Sequence, residues 1–227
     1  SRSSSDFADV PAGIGGGWDG FRGTPQLVRM FDYQDNANPK ANEILDKRGI
    51  FYDKNRSIDI TTSVTGTFTT EGWSVYKYTN IRSDGQPGSN TTFPDTDFPM
   101  FRLADVYLMY AEAVARGGQG GSLATAVEYV NALRKRAYGN TSHEVNEAWL
   151  TENNYRNLLD ERCRELYWEG TRRTDLIRYG LFTSADYLWT FKGGVLGGTG
   201  VPNRYNVFPI PTTDLSVNGN LKQNEGY

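Results

Sequence analysis

The 227-residue chain carries 24 Lys and Arg against 27 Asp and Glu, a formal charge of -3, and has no long basic run, which argues against a nucleic-acid partner. Apolar residues at 37% supply a core for one large domain or two small ones, while 25 Gly and 9 Pro imply much irregular chain between elements. No apolar run approaches the roughly 18 residues of a membrane-spanning helix, SRSSSDFADV lacks the form of a secretion signal, and the single cysteine, Cys163, excludes an internal disulfide framework.

Residues 1–97 read as a loop-rich region with short helices and strands. Glycines surround Trp18, and Gly15, Gly17 and Gly20 meet the spacing of a dinucleotide loop. No buried strand precedes them, and Pro25 interrupts where that fold needs a helix. PQLVRMFDY, residues 25–33, predicts a short helix opened by proline, with Leu27, Val28, Met30 and Phe31 available for packing. Ala37 to Lys47 predicts another helical piece, and GIFYDKN, SIDITTSVTG and TFTTEGWSVYKY predict short strands or extended segments. Asp53, Asn55, Ser57 and Asp59 alternate like calcium ligands, but Ile58 stands where the loop needs glycine and Val64 where it needs a bidentate glutamate. A polar turn explains them better. Residues 80–97 form a long polar connection.

Character changes at Phe98, and three helices follow. In FRLADVYLMYAEAVAR the residues Leu103, Val106, Tyr107, Tyr110 and Val114 share a face, and Gly117 and Gly118 stop the helix. Ser122 caps the second helix, whose Leu123, Val127, Val130, Leu133 and Ala137 form the apolar side before Gly139 ends it. Alanines at 111, 113, 115, 124, 126 and 132 permit close approach, so the two helices read as an antiparallel hairpin. The third helix is expected over Thr151–Glu169, with Thr151 as its cap. Its apolar positions are Tyr155, Leu158, Leu159, Cys163, Leu166 and Tyr167. Beyond Gly180 come a glycine-rich loop, then VPNRYNVFPIP, whose Pro209 and Pro211 make it an extended segment and a poor central strand. The tail is polar, with Leu215 and Leu221 as candidate anchors.

Arg162 and Glu169 fall inside the buried arc of the third helix. Burial of a lone charge costs several kcal/mol, so they are expected to be paired, with Glu165 three residues from Arg162, and Arg172 or Arg173 within reach of Glu169. The competing reading is a solvated charge run; a semi-buried ionic network that sets how the helix sits is preferred. Catalytic chemistry has little foothold. His143, the lone histidine, reads as an ordinary exposed residue, and no zinc, phosphate-loop or nucleophile-elbow pattern is present. The regularly spaced Glu161, Glu165 and Glu169 suit ion pairing better than a glycosidase pair. No catalytic residue, metal or cofactor is expected. For ligand binding, Trp18 with Asp19 beside it suits a sugar's apolar face and hydroxyls, against a second reading in which Trp18 plugs the edge of the domain. Trp189, in DYLWTF, stays open between packing and binding.

FPMFRLADVYLMYAEAVAR, VEYVNALRKRAY, LLDERCRELYWEGTRRTDLIRYG and VFPIPTTDLSVNGNLKQNEGY, in that order over residues 98–227, closely resemble the C-terminal half of the SusD/RagB family. WDGFRGTPQLVRMF, LDKRGIFY and VYKY, within residues 18–85, resemble its middle region less specifically. The tail departs mildly, with Asn218-Gly219-Asn220 and Asn224-Glu225-Gly226-Tyr227 where the family carries Asn-Pro pairs. The resemblance implies a mainly α, SusD-like fold with a terminal tetratricopeptide-like helical pair and a loop-rich region with short strands. It implies a portion of a longer outer-membrane lipoprotein of Bacteroidetes-type bacteria, whose lipid-anchored cysteine lies in the missing N-terminal part. It further implies non-catalytic capture of a glycan or oligosaccharide at the extracellular face for a TonB-dependent transporter, or else an assembly role supporting that transporter's interface without binding glycan. Arg162, Glu165, Glu169, Arg172 and Asp175 match the family's ER-x-EL-x-x-EG-x-R-x-x-D core, which marks them as structural.

Overall fold

In the computed structural model, residues 21–62, 70–90 and 93–227 are described. The chain divides into two compact units, one ending at Arg172 and the other running Arg173–Tyr227. The described residues are mainly helical: α1 (Pro25–Val28), β1 (Phe51–Tyr52), β2 (Ser74–Val75), α2 (Leu103–Ala115), α3 (Leu123–Tyr138), α4 (Glu147–Thr151), α5 (Arg156–Leu166), α6 (Arg172–Arg178) and α7 (Thr212–Val217). None of these helices is long and apolar enough to cross a membrane.

The first unit has two apolar cores. In one, Val28, Phe31, Tyr33, Phe51, Trp73, Val75 and Tyr167 pack together, with Phe31, Phe51 and Tyr167 meeting ring to ring at 5.4–6.0 Å. Thr24 caps α1 through the Leu27 amide, but the helix stops at Val28, short of the expected Tyr33. The chain then extends, burying Phe31 and Tyr33, and the Tyr33 hydroxyl donates to the Val28 carbonyl at 3.0 Å. Of the helix expected over 37–47 only a 3-10 turn, Ala41–Glu43, forms. β1 and β2 pair antiparallel with Phe51 opposite Val75. Asp53 of the calcium-like run is occupied with the chain itself, accepting from the Ala41 amide at 2.9 Å. Beyond β2 the buried Asn80 side chain donates to the Asn90 carbonyl and accepts from the Asp95 amide.

The other core joins Ala104, Leu108 and Ala111 of α2 to Ala126, Val130 and Leu133 of α3, with Leu150 and Leu158 closing it. Ser122 caps α3 through the Thr125 amide, and Gly139, at φ 75°, ends it in the left-handed conformation that glycine adopts without strain. α2 is rotated from its expected orientation. Its buried stripe runs through Ala104, Leu108 and Ala111, whereas Leu103, Val106 and Met109 are exposed. Small side chains win the interface because they let the backbones approach, and of the six alanines expected there, 111 and 126 are fully buried. Tyr107 stacks flat on Tyr129 at 4.2 Å along the rim of the hairpin.

The third helix is not continuous. α4 starts earlier than expected, capped by Asn146 through the Trp149 amide, and the chain then breaks at Asn153, Asn154 and Tyr155, all with φ between 52° and 63°. Three successive left-handed residues end one helix and re-aim the next, two of them asparagines, which tolerate that region best. α5 ends at Leu166, three residues short of Glu169, and Trp168 at φ 66° turns the chain there.

Leu108→Ala, at a fully buried site in the hairpin, is expected to cost about 2–5 kcal/mol of stability in urea unfolding. Met109→Ala, one position away on the exposed face, should stay within about 0.5 kcal/mol.

Candidate functional site

α5 is buried almost all round, with Leu158, Leu159, Cys163 and Leu166 on apolar surroundings and Glu161, Arg162 and Glu165 equally enclosed. Glu161 is fully buried and accepts from Arg48 Nη1 at 2.7 Å, Arg134 Nη1 at 2.7 Å and Arg164 Nη2 at 2.8 Å. Burial alone would push its pKa up, but the three guanidiniums hold it far below its ordinary 4.5. One turn on, Glu165 accepts from Arg136 at 2.5 Å, Arg102 at 2.9 Å and Arg48 at 3.3 Å. Its carboxyl is likewise held down by these arginines against the upward pull of burial. The turn at Trp168 folds Glu169 back beneath Glu165, where Arg102 grips it through Nε and Nη2 and Lys77 Nζ lies 2.5 Å away. Arg48 is itself clamped by Asp46. Tyr167 ties the hub to the neighbouring apolar core, donating to the Arg48 carbonyl, accepting from the Ile50 amide and carrying Lys77 over its ring at 4.5 Å.

Glu165 and Glu169 are therefore brought together, held by Arg48, Arg102, Arg136 and Lys77 from other segments of the chain. Arg162 reaches Asp105 of α2 at 2.8 Å. Arg172 donates to the Leu159 carbonyl at 2.9 Å and lies 3.9 Å from Asp160. Asp175 belongs to the C-terminal unit, where it is buried and pairs with Arg178 at 2.9 Å. Arg48, Lys77, Arg102, Arg134 and Arg136 are absent from the sequence expectation. Only Arg134 carries a signal there, lying four residues after Val130 and three before Ala137 inside the apolar arc of α3. His143 is half-buried rather than exposed, stacked on Tyr138 at 3.8 Å, with its carbonyl held by Arg134. Trp18 and Asp19 lie outside the described residues. Among the described residues no cluster of His, Cys, Asp or Glu is arranged to hold a metal.

Beside the hub lies a cavity of about 330 Å³ lined by Arg48, Lys77, Tyr78, Arg102, Arg136 and the two carboxylates Glu165 and Glu169. A larger cleft, about 550 Å³, opens within the C-terminal unit, and its walls are aromatic: Phe182, Trp189, Tyr205, Phe208 and Tyr227. Phe182 and Trp189 lie 6.0 Å apart. Arg173 sits over both Phe182 and Phe208, at 5.0 and 4.3 Å, and donates to the Tyr205 carbonyl at 2.7 Å. Lys192 is 2% exposed, its ammonium spent on the carbonyls of Leu181, Ser184 and Tyr187, and it backs the Trp189 ring at 4.5 Å. Gly198, at φ 80°, passes so close to the Trp189 carbonyl that a Cβ there would fall 2.6 Å from the oxygen. Polar groups of the tail close on the extended segment, with Leu215 half-buried beside them and Leu221 38% exposed. Gln223 brackets Ile210 between the two prolines, accepting from its amide and donating to its carbonyl, and the Tyr227 hydroxyl donates to the Val207 carbonyl at 2.9 Å.

Residues 51–227 match the model of the SusD family. The starch-binding protein SusD of Bacteroides thetaiotaomicron is 50% identical over 158 residues, covering 70% of this chain and 26% of its own length. SusD-like protein P25 of Formosa agariphila is 36% identical over 138 residues, 56% of this chain and 24% of its own. The chain thus spans about a quarter of the length of the curated relatives it matches. Among solved structures, surface glycan-binding protein A from Bacteroides thetaiotaomicron, in complex with laminarihexaose, aligns at a TM-score of 0.50 and 27% identity over 69% of this chain and 31% of its own. A SusD superfamily protein from Parabacteroides distasonis shares the fold at a TM-score of 0.54, with 21% identity, over 91% of this chain and 42% of its own.

Two consequences of the hub are measurable. Glu161→Gln leaves three guanidiniums facing a neutral amide and should cost about 3–5 kcal/mol. Because Glu161 and Glu165 are held below their ordinary 4.5, the unfolded chain binds protons first. Urea midpoints should therefore hold steady above about pH 5 and fall as pH drops through 4.5 and below, with a shallower fall in Glu165→Gln.

Proposed function

The chain belongs to the SusD family, and on that premise we propose that it serves the non-catalytic capture of glycans at the outer membrane, for uptake through a partner TonB-dependent transporter. The observation that carries this reading is the aromatic cleft of the C-terminal unit. Sugars offer apolar C–H faces and a fringe of hydroxyls, which calls for flat rings next to polar donors and acceptors. Phe208 is 71% exposed and Tyr205 42%, while Trp189 is held in place by Lys192 and by the close passage of Gly198. Rings fixed before the ligand arrives lose little freedom on binding. Trp18 and Asp19 remain proposed as a second contact. Membrane attachment is assigned to a lipid anchor in the N-terminal part of the protein, at the extracellular face.

The hub favours a second reading, in which this portion braces the transporter interface and binds no glycan itself. It makes ten or so charged groups into one rigid joint, which suits a support.

Isothermal titration with starch-derived and laminarin-derived oligosaccharides is expected to show saturable binding that Trp189→Ala weakens about tenfold or more, the scale of an aromatic anchor. Trp18→Ala reports on the second contact. Saturable binding untouched by Trp189→Ala and Phe208→Ala would remove the cleft from the mechanism. Silence toward every glycan, with co-purification of a transporter, would replace capture by bracing.

A further inference from the structure

α2 is apolar on two faces, and only one of them is covered. The inner stripe of Ala104, Leu108 and Ala111 packs with residues of α3, α4 and α5. The outer stripe, Leu103, Val106 and Met109 at three-residue steps, is exposed, as are Phe98, Met100 and Phe101 in the segment that leads into the helix. Leu103 is 63% exposed and Phe101 88%. Leu103 and Val106 are among the positions whose spacing marks an apolar face in the sequence. That face is real, but it looks away from the core that the chain builds for itself.

Polar side chains do not rescue the outer side. The helix, LADVYLMYAEAVA, has two charged residues, Asp105 and Glu112, and both are engaged within the chain. Asp105 accepts from Arg162 Nη1 at 2.8 Å and Glu112 from Arg116 Nε at 3.0 Å. A helix apolar around its whole circumference belongs in the interior of an assembly. The neighbouring α3 is the contrast, since its outward side carries Glu128, Lys135 and Arg136, as a face left in water should. The cover has to match a helix of 13 residues, about 20 Å long, whose side chains form a ridge at helical spacing. Within the first unit no described helix is left for this: α4 and α5 give Leu150 and Leu158 to the inner side, and α1 has four residues. Helical pairs that stack as repeats bury the outer face of one pair under the next, and a terminal pair needs a polar outer face. The curated relatives, of which this chain spans about a quarter, have the length to supply a further pair.

We infer that the outer face of α2, together with the Phe98–Phe101 segment before it, is an interface inside the full-length protein. Its occupant is a helix from the part ahead of residue 1, carrying an apolar stripe of matching length. The inference rests on the two faces of α2 and the length of the relatives, and it stands whether or not the aromatic cleft binds glycan.

Cysteine labelling reads the face directly. Met109→Cys is treated with a maleimide in the 227-residue chain and in the full-length protein, and the labelled peptide is quantified by mass spectrometry, which separates it from Cys163. Labelling should be slowed about tenfold or more in the full-length protein, since the thiol reacts there only when the interface opens, and the two rates should converge in urea. Ala132→Cys, at an exposed position of α3, should label at similar rates in both. A benzophenone amino acid at Val106 then identifies the cover: the crosslink should fall within one polypeptide, on a segment ahead of residue 1. Equal labelling of Met109→Cys in the two proteins overturns the inference. So does a crosslink to a second copy, to a different protein or to residues 1–227, each of which gives the face another occupant, and so does the absence of any crosslink.

Discussion

A carboxylate with no contact with water, gripped by three guanidiniums, is the constraint on which the first unit depends. Glu161 lies where a leucine would ordinarily pack, and its arginines come from the segment before β1, from α3 and from α5 itself. Apolar side chains in place of the whole cluster, carboxylate and arginines together, are often at least as favourable in free energy, since ion pairs lose much of their attraction to desolvation. Directionality is the difference. Leucine accepts many neighbouring arrangements, whereas a fork of N–H groups accepts few, so α5 cannot slide or rotate against α3 without stranding a buried charge. Glu165 and Glu169 extend the same logic to Arg102 at the mouth of α2 and Lys77 after β2.

Local chemistry is legible in the sequence wherever one residue decides it. Ser122 and Gly139 mark the ends of α3 because a hydroxyl at one end and freedom at positive φ at the other are properties of single residues. The rotation of α2 is not, because Leu103, Val106 and Met109 outweigh alanines on any hydrophobic scale, while the packing rewards Ala104 and Ala111 for their smallness. The break at 153–155 is hidden for another reason. Asparagine reads as a mild helix disfavourer, and nothing local says that three in succession will turn left-handed, Tyr155 among them. The charged positions on α5 could be seen to need partners, and helical spacing supplies one of them, Arg164 to Glu161, while Arg48, Arg102, Arg134 and Arg136 arrive from distant segments.

The C-terminal unit shows the opposite balance. It has little regular structure, and what holds it is a set of side chains satisfying backbone groups that a sheet would otherwise pair. Pro209 and Pro211 bar the intervening stretch from a ladder, and the Gln223 carboxamide supplies what the ladder would have given Ile210. Lys192 does the same for three carbonyls at once. Trp189 is ambiguous in isolation, since a ring flanked by Leu and Thr suits core or cleft. Its place becomes clear only with the glycine loop that follows it.

The span of the hub also bears on how the chain reaches its shape. The bond from Arg48 to Glu161 bridges 113 positions and that from Arg102 to Glu169 bridges 67, whereas the α2–α3 hairpin needs only neighbours. Long closures are entropically slow, so local helical pairs form ahead of contacts of this reach. Until the loops close, four acidic groups and six basic ones remain hydrated, and little favours partial burial of any of them. On this argument the joint is expected to close late in folding, as a latch between α5 and the segments that carry Arg48, Arg102 and Arg134.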